Sequence, residues 1–95
     1  MPQIEIVVTN KLGLHARPAA IFVRVAMKFE ADILVTKSKG DGSWVNAKSV
    51  MGVMSLGAAP GTSLLIRATG PDADKALRSL RLLADKRFLE NHYLG

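Results

Sequence analysis

Cysteine is missing from the 95-residue chain, which excludes disulfides, thiolate nucleophiles and cysteine metal sites. Histidine is nearly missing: His15 and His92 are the only two, too few for a zinc centre built on imidazole ligands. Neither a metal nor another cofactor is expected. The five aromatic residues give few platforms for stacking single-stranded bases. The opening Met1-Pro2-Gln3-Ile4-Glu5 lacks the basic-then-apolar order of a signal peptide. A long apolar run is lacking as well. Ser49 to Ile66 carries no charge, but Gly52, Gly57, Pro60 and Gly61 break it, and Ser49, Ser55, Thr62 and Ser63 stud it. That stretch reads as a short helix, a turn and the start of a strand, so membrane insertion is not expected and a cytoplasmic location is.

What is present is ordinary globular composition, 48% hydrophobic and 22% charged. The length predicts a single domain over residues 1–95, able to bury only about 60–65% of its unfolded surface. Such a domain can present a surface site but hardly a deep pocket. The net charge of +5 invites a nucleic-acid reading. Its distribution argues against one: residues 1–50 hold seven Lys/Arg and four Asp/Glu, residues 51–95 six and four, with no basic arm. A small nucleic-acid-binding domain therefore ranks low, and no nucleic-acid partner is expected.

Ile4 to Val8 is a β-branched run that predicts a first strand. Ala19, Phe22, Val23 and Ala26 then recur at helical spacing, predicting a helix from Ala16 to Lys28. Ile33 and Val35 mark a second strand. Lys39-Gly40-Asp41-Gly42 punctuates a hairpin, and Ser43 to Asn46 returns as a third strand. Ser49 to Leu56 predicts a short helix ended by Ala59-Pro60-Gly61, and Ser63 to Thr69 a fourth strand. Gly70-Pro71-Asp72 opens a last helix with the stripe Ala73, Ala76, Leu77, Leu80, Leu83 and Ala84. Phe88 to Gly95 shows no periodicity and reads as an extra tail. The order βαββαβα predicts an α+β domain, a four-stranded sheet with one face covered by helices.

Chemistry concentrates where strand gives way to helix, at Gly13-Leu14-His15-Ala16-Arg17-Pro18. With His15 as N-cap, the Ala16 and Arg17 amides point out of the positive end of the helix dipole, and Arg17 adds a planar cationic fork. The lone pair of an uncharged imidazole is a competent nucleophile. A phosphoryl group accepted there would place its charge on the amides and Arg17. The same residues also fit a plain helix start. No second acid, base or metal ligand accompanies the motif, which points to a group carrier rather than an enzyme.

Gly13-Leu14-His15-Ala16-Arg17-Pro18-Ala19 resembles the active-site signature of the HPr family, the histidine phosphocarriers of the bacterial phosphotransferase system. Lys48-Ser49-Val50-Met51-Gly52-Val53-Met54-Ser55-Leu56-Gly57 independently resembles that family's regulatory-serine segment. The resemblance spans residues 3–87 and implies an open-faced β-sandwich, an antiparallel sheet with three helices on one face. It implies that His15, through Nδ1, takes phosphate from phosphorylated Enzyme I and passes it to enzyme IIA domains, with Arg17 as the phosphate's partner. It further implies modification of Ser49 by HPr kinase/phosphorylase. As a helix N-cap beside Lys48, Ser49 is suited to carry a phosphate, and equally to serve only as a cap. Ala20 and Arg24 on the first helix, with Val50, Met51 and Met54 on the short one, form the expected partner surface, while Val53 and Leu56 should turn inward.

Three features depart from the family's pattern: a long hairpin from Ser38 to Ser43, Trp44 beside it with strand packing as its default role, and a basic C-terminal helix with its tail. His92 lacks a helix start or adjacent arginine and is not expected to accept phosphate. Monomer is the natural state for a carrier that docks transiently. A regulatory relay resembling the nitrogen branch, without sugar transport, is the alternative output.

Overall fold

The computed structural model describes residues 2–89. Its elements run β1 (Gln3–Val7), α1 (Ala16–Ala26), β2 (Asp32–Lys37), β3 (Val45–Asn46), α2 (Val50–Ser55), β4 (Ser63–Thr69) and α3 (Ala73–Asp85), followed by a 3-10 turn at Arg87–Leu89. The sheet has strand order β1-β4-β2-β3 with every neighbour antiparallel. This is the expected open-faced sandwich: four strands, with three helices on one side.

Strand periodicity decides which face is covered. Ile6 and Val8 near β1, Ile33 and Val35 in β2, and Leu64, Ile66 and Ala68 in β4 are all buried under the helices. Alternate residues such as Glu5, Leu34 and Arg67 lie on the uncovered face. From the helices, α1 contributes Ala19, Ile21, Phe22, Val23 and Ala26, and α3 contributes the whole stripe read from the sequence. α2 sends in Val53, with Leu56 just beyond its end.

Two boundaries differ from expectation by two residues, each for a visible reason. β3 contains only Val45 and Asn46, because both backbone groups of Ser43 are already taken. Its N–H donates to the Asp41 carboxylate, and its carbonyl accepts from the Thr36 hydroxyl. Helix α1 stops at Ala26, with Met27 as C-cap, and its chain closes in tighter turns: the Lys28 amide bonds to the Val25 carbonyl and Phe29 to Ala26. Side chains from elsewhere then hold that end. The Lys48 ammonium donates to the Phe29 carbonyl at 2.7 Å, and the Asp72 carboxylate accepts from the Glu30 and Ala31 amides at 2.9 Å each.

Trp44 and Phe88 also acquire roles. Trp44 lies outside β3, under the Arg67 guanidinium, 4.3 Å from the ring centroid. Arg67 also donates to the Gln3 side-chain oxygen, so a ladder of side chains crosses the uncovered face from β1 through β4 to the hairpin. Phe88, read as the start of a tail, is instead fully buried, its ring 6.2 Å from Phe22. The rest of that tail from residue 90 on, His92 included, lies outside the described residues.

No helix among the described residues is long and apolar enough to cross a membrane.

Candidate functional site

His15 stands between β1 and α1, on a connection fixed from below. Gly13 adopts φ +76°, and a Cβ there would sit 2.5 Å from the Ala58 carbonyl oxygen, so only glycine fits without displacing backbone. The close approach lets the Leu14 amide donate to that same carbonyl at 2.8 Å. Leu14 is buried, and the next residue is directed outward as the helix begins.

His15 is the N-cap, extended at φ −83° and ψ −169°, and its carbonyl accepts the Ala19 amide at 2.9 Å. The imidazole makes no capping bond to the helix, so the first-turn amides are not occupied by their own cap. Pro18 is the third helical residue, where its missing N–H removes no intrahelical bond, and its ring is buried. Ala16 and Arg17, which follow the half-buried His15, are exposed, and the first turn holds no acidic residue to compete for an anion. Ring, outward amides and guanidinium thus share one end of α1.

Helix α2 lies along α1. Its start is tied near the end of α1 through Lys48 and Phe29, and the segment after it reaches the His15 loop through Ala58 and Leu14. The expected partner surface therefore falls on adjoining elements. Met51 is 80% exposed, Met54 and Val50 about half as much, while Val53 and Leu56 are buried as expected. Ala20 is half-buried and Arg24 exposed on α1.

Ser49 is the N-cap of α2, and its Oγ accepts from the Gly52 amide at 3.1 Å. It sits at the end of α2 remote from the His15 loop. The Lys48 ammonium beside it donates to the Phe29 carbonyl at 2.7 Å. That bond spans 19 positions, which a lysine beside a serine in sequence could not reveal.

Sequence reasoning missed three residues of this neighbourhood. Leu12 is 75% exposed on the turn leading to His15, and no pattern in the sequence distinguishes it from a loop leucine. Asp72 was read as opening α3, but its side chain does not cap that helix and holds the end of α1 instead. Asn10, 1% exposed, donates through Nδ2 to the Arg87 carbonyl at 2.9 Å, a pairing across 77 positions.

A histidine at the open end of a helix, beside first-turn amides and one arginine, is placed where a charged group could be received and presented again. That is the arrangement of a carrier domain. Residues 2–86 match the family pattern described as the PTS HPr component phosphorylation site. The chain is 43% identical over 91 residues to the phosphocarrier protein HPr of Xylella fastidiosa, covering 96% of this chain and 99% of that one. It is 46% identical over 80 residues to the HPr-like protein Crh of Bacillus subtilis, covering 84% of this chain and 91% of that one. Among solved structures, HPr from Thermoanaerobacter tengcongensis superposes with a TM-score of 0.86 at 44% identity, covering 95% of this chain and 98% of that one. An HPr dimer from the same organism has also been solved, with a TM-score of 0.71. The chain belongs to the HPr family of the phosphotransferase system, whose members are phosphocarriers and not enzymes in their own right.

Proposed function

We propose that this protein is a cytoplasmic, monomeric, single-domain phosphoryl carrier whose acceptor is His15. The lone pair of Nδ1 attacks the phosphorus held by phosphorylated Enzyme I. The new N–P bond forms as the donor's bond to phosphorus breaks, and that bond's electron pair stays with the donor. The amides of Ala16 and Arg17 and the Arg17 guanidinium take the phosphoryl oxygens. Delivery to an enzyme IIA domain is the same step in reverse roles. The observation that carries this reading is the position of His15 as the N-cap whose ring does not cap the helix, leaving the helix start for the incoming anion.

Docking uses the continuous surface made by Arg17, Ala20 and Arg24 on α1 and Val50, Met51 and Met54 on α2. Exposed methionines adapt to several partner shapes, and the arginines favour acidic ones. Ser49 is the regulatory site, taking phosphate from HPr kinase/phosphorylase. The negative charge is accommodated at the start of α2 and opposes the approach of an acidic Enzyme I surface.

The likeness to Crh, named as HPr-like, favours one second reading: a regulatory relay that moves no sugar. Labelled phosphate supplied from phosphoenolpyruvate through Enzyme I, followed by addition of sugar-type or nitrogen-type enzyme IIA domains, separates the two. The carrier reading expects acid-labile label on the wild type, none on His15→Ala, and preferential onward transfer to the sugar-type domain. Preference for the nitrogen-type domain selects the regulatory relay. No label from an Enzyme I that charges itself normally overturns both.

A further inference from the structure

The connection that presents His15 is tied on two sides. One tie is backbone, from Leu14 to Ala58. The other is a side chain. Asn10, buried to 1% exposure, opens the turn toward His15 by accepting the Gly13 amide at 3.1 Å, and its Nδ2 donates to the Arg87 carbonyl at 2.9 Å.

The segment that receives this bond is unusual. Arg87 and Phe88, at φ 52° and 59°, are the only non-glycine residues among those described that adopt positive φ. Side-chain-bearing residues seldom enter that region unless neighbours compel them. Here two neighbours do: the Phe88 ring is sealed in the core against Phe22 of α1, and the Asn10 amide takes the Arg87 carbonyl. The C-terminal turn therefore touches both segments that meet at His15, the loop before it and the helix after it. Its bond to Asn10 sets the seat of the loop relative to α1.

We infer that Asn10 is a positioning residue for phosphoryl transfer at His15, acting through the C-terminal turn. The inference rests on the carrier reading above. In the transfer step, Nδ1 of His15 must meet the donor phosphorus in line while the Ala16 and Arg17 amides face its oxygens. The ring and Leu14 belong to the loop, and the amides to the helix. A loop free to shift against the helix loses that alignment, and a displacement of about 1 Å is enough to slow such a step by up to about 100-fold. Docking depends on the exposed faces of α1 and α2, whereas Asn10 is buried.

The test is Asn10→Ala, with Asn10→Ser as the milder change should the first not fold, compared with Trp44→Ala. The last variant weakens the sheet on its uncovered face, away from the site. In steady-state phosphorylation by Enzyme I, the folded Asn10 variant should lose about tenfold in kcat with KM unchanged, and its His15 ring resonances should move in 15N-edited NMR. Trp44→Ala should change neither. An Asn10 variant that is folded, transfers at the wild-type kcat and leaves the His15 resonances in place overturns the inference. So does a loss of rate matched by Trp44→Ala at equal stability. If the wild type takes no phosphate, the carrier reading fails by itself, and the NMR comparison still decides whether Asn10 seats the His15 loop.

Discussion

At Gly13 a single hydrogen atom separates a working loop from a displaced one. A Cβ placed 2.5 Å from the Ala58 oxygen must push the loop away from α2, and φ +76° adds conformational strain for any other residue. Gly13→Ala should lose about 1–3 kcal/mol in urea denaturation and accept phosphate from Enzyme I more slowly than the wild type. Asp72 supplies a test in pH. Hydrogen bonds from the Glu30 amide, and then from Ala31, hold its carboxyl below the usual carboxylate value of 3.8. A group depressed in the folded state stabilises it fully above its unfolded pKa of about 4, and that contribution is lost as the pH falls through the folded value. The stability difference between the wild type and Asp72→Asn should therefore be largest near pH 7 and shrink toward pH 3, as read from urea midpoints at each pH. A difference that grows on acidification contradicts the assignment. These residues differ in how legible they were: glycine before the His15 motif announces a backbone need, whereas Asp72 sits where any helix-opening aspartate would sit. Its real partners are 41 and 42 positions away, a distance that sequence patterning does not span.

Elements were legible where one interaction dominates. The apolar stripes of α1 and α3 and the alternation of β2 and β4 set their own faces, because burying them is the main stabilising term available to a chain this short. β3 was overextended because Ser43 has strand-compatible neighbours, yet its backbone groups are claimed by Asp41 and Thr36. Helix α2 is the least self-sufficient element, six residues held by the Ser49 cap and one fully buried valine. Ser49→Ala should cost about 1 kcal/mol by urea denaturation, since the Gly52 amide loses its acceptor. Ser49→Asp keeps an acceptor and adds charge, so it should recover stability while slowing phosphorylation of His15 by Enzyme I. Equal rates for Ser49→Asp and the wild type would remove the regulatory reading. Trp44, unassigned from sequence, anchors the long hairpin through Arg67. Trp44→Ala should be destabilised by about 1–2 kcal/mol, the sum of a lost cation–π contact and lost apolar burial, again read from the urea midpoint.

On the scale of the whole molecule, the two motifs that carry the family resemblance lie on adjoining helices and perform different structural tasks. His15 leaves its helix uncapped by a side chain, while Ser49 caps its own. The His15 end of α1, the exposed methionines and the arginines share the α1–α2 side, whereas the uncovered face of the sheet is braced by Gln3, Arg67 and Trp44. The proposed acceptor stands out in the sequence because the features around His15 are local: a glycine twist, a helix start and an arginine two residues on. The ties that seat it could not, since Asn10 to Arg87 and Leu14 to Ala58 exist only once the chain has closed on itself. The measurement that bears most directly on the account is 15N NMR of the imidazole rings during incubation with Enzyme I and phosphoenolpyruvate. A single phosphoryl group on Nδ1 of His15, absent in His15→Ala, is the predicted result. Phosphate on another residue, or an unmodified His15 beside fully charged Enzyme I, would contradict it.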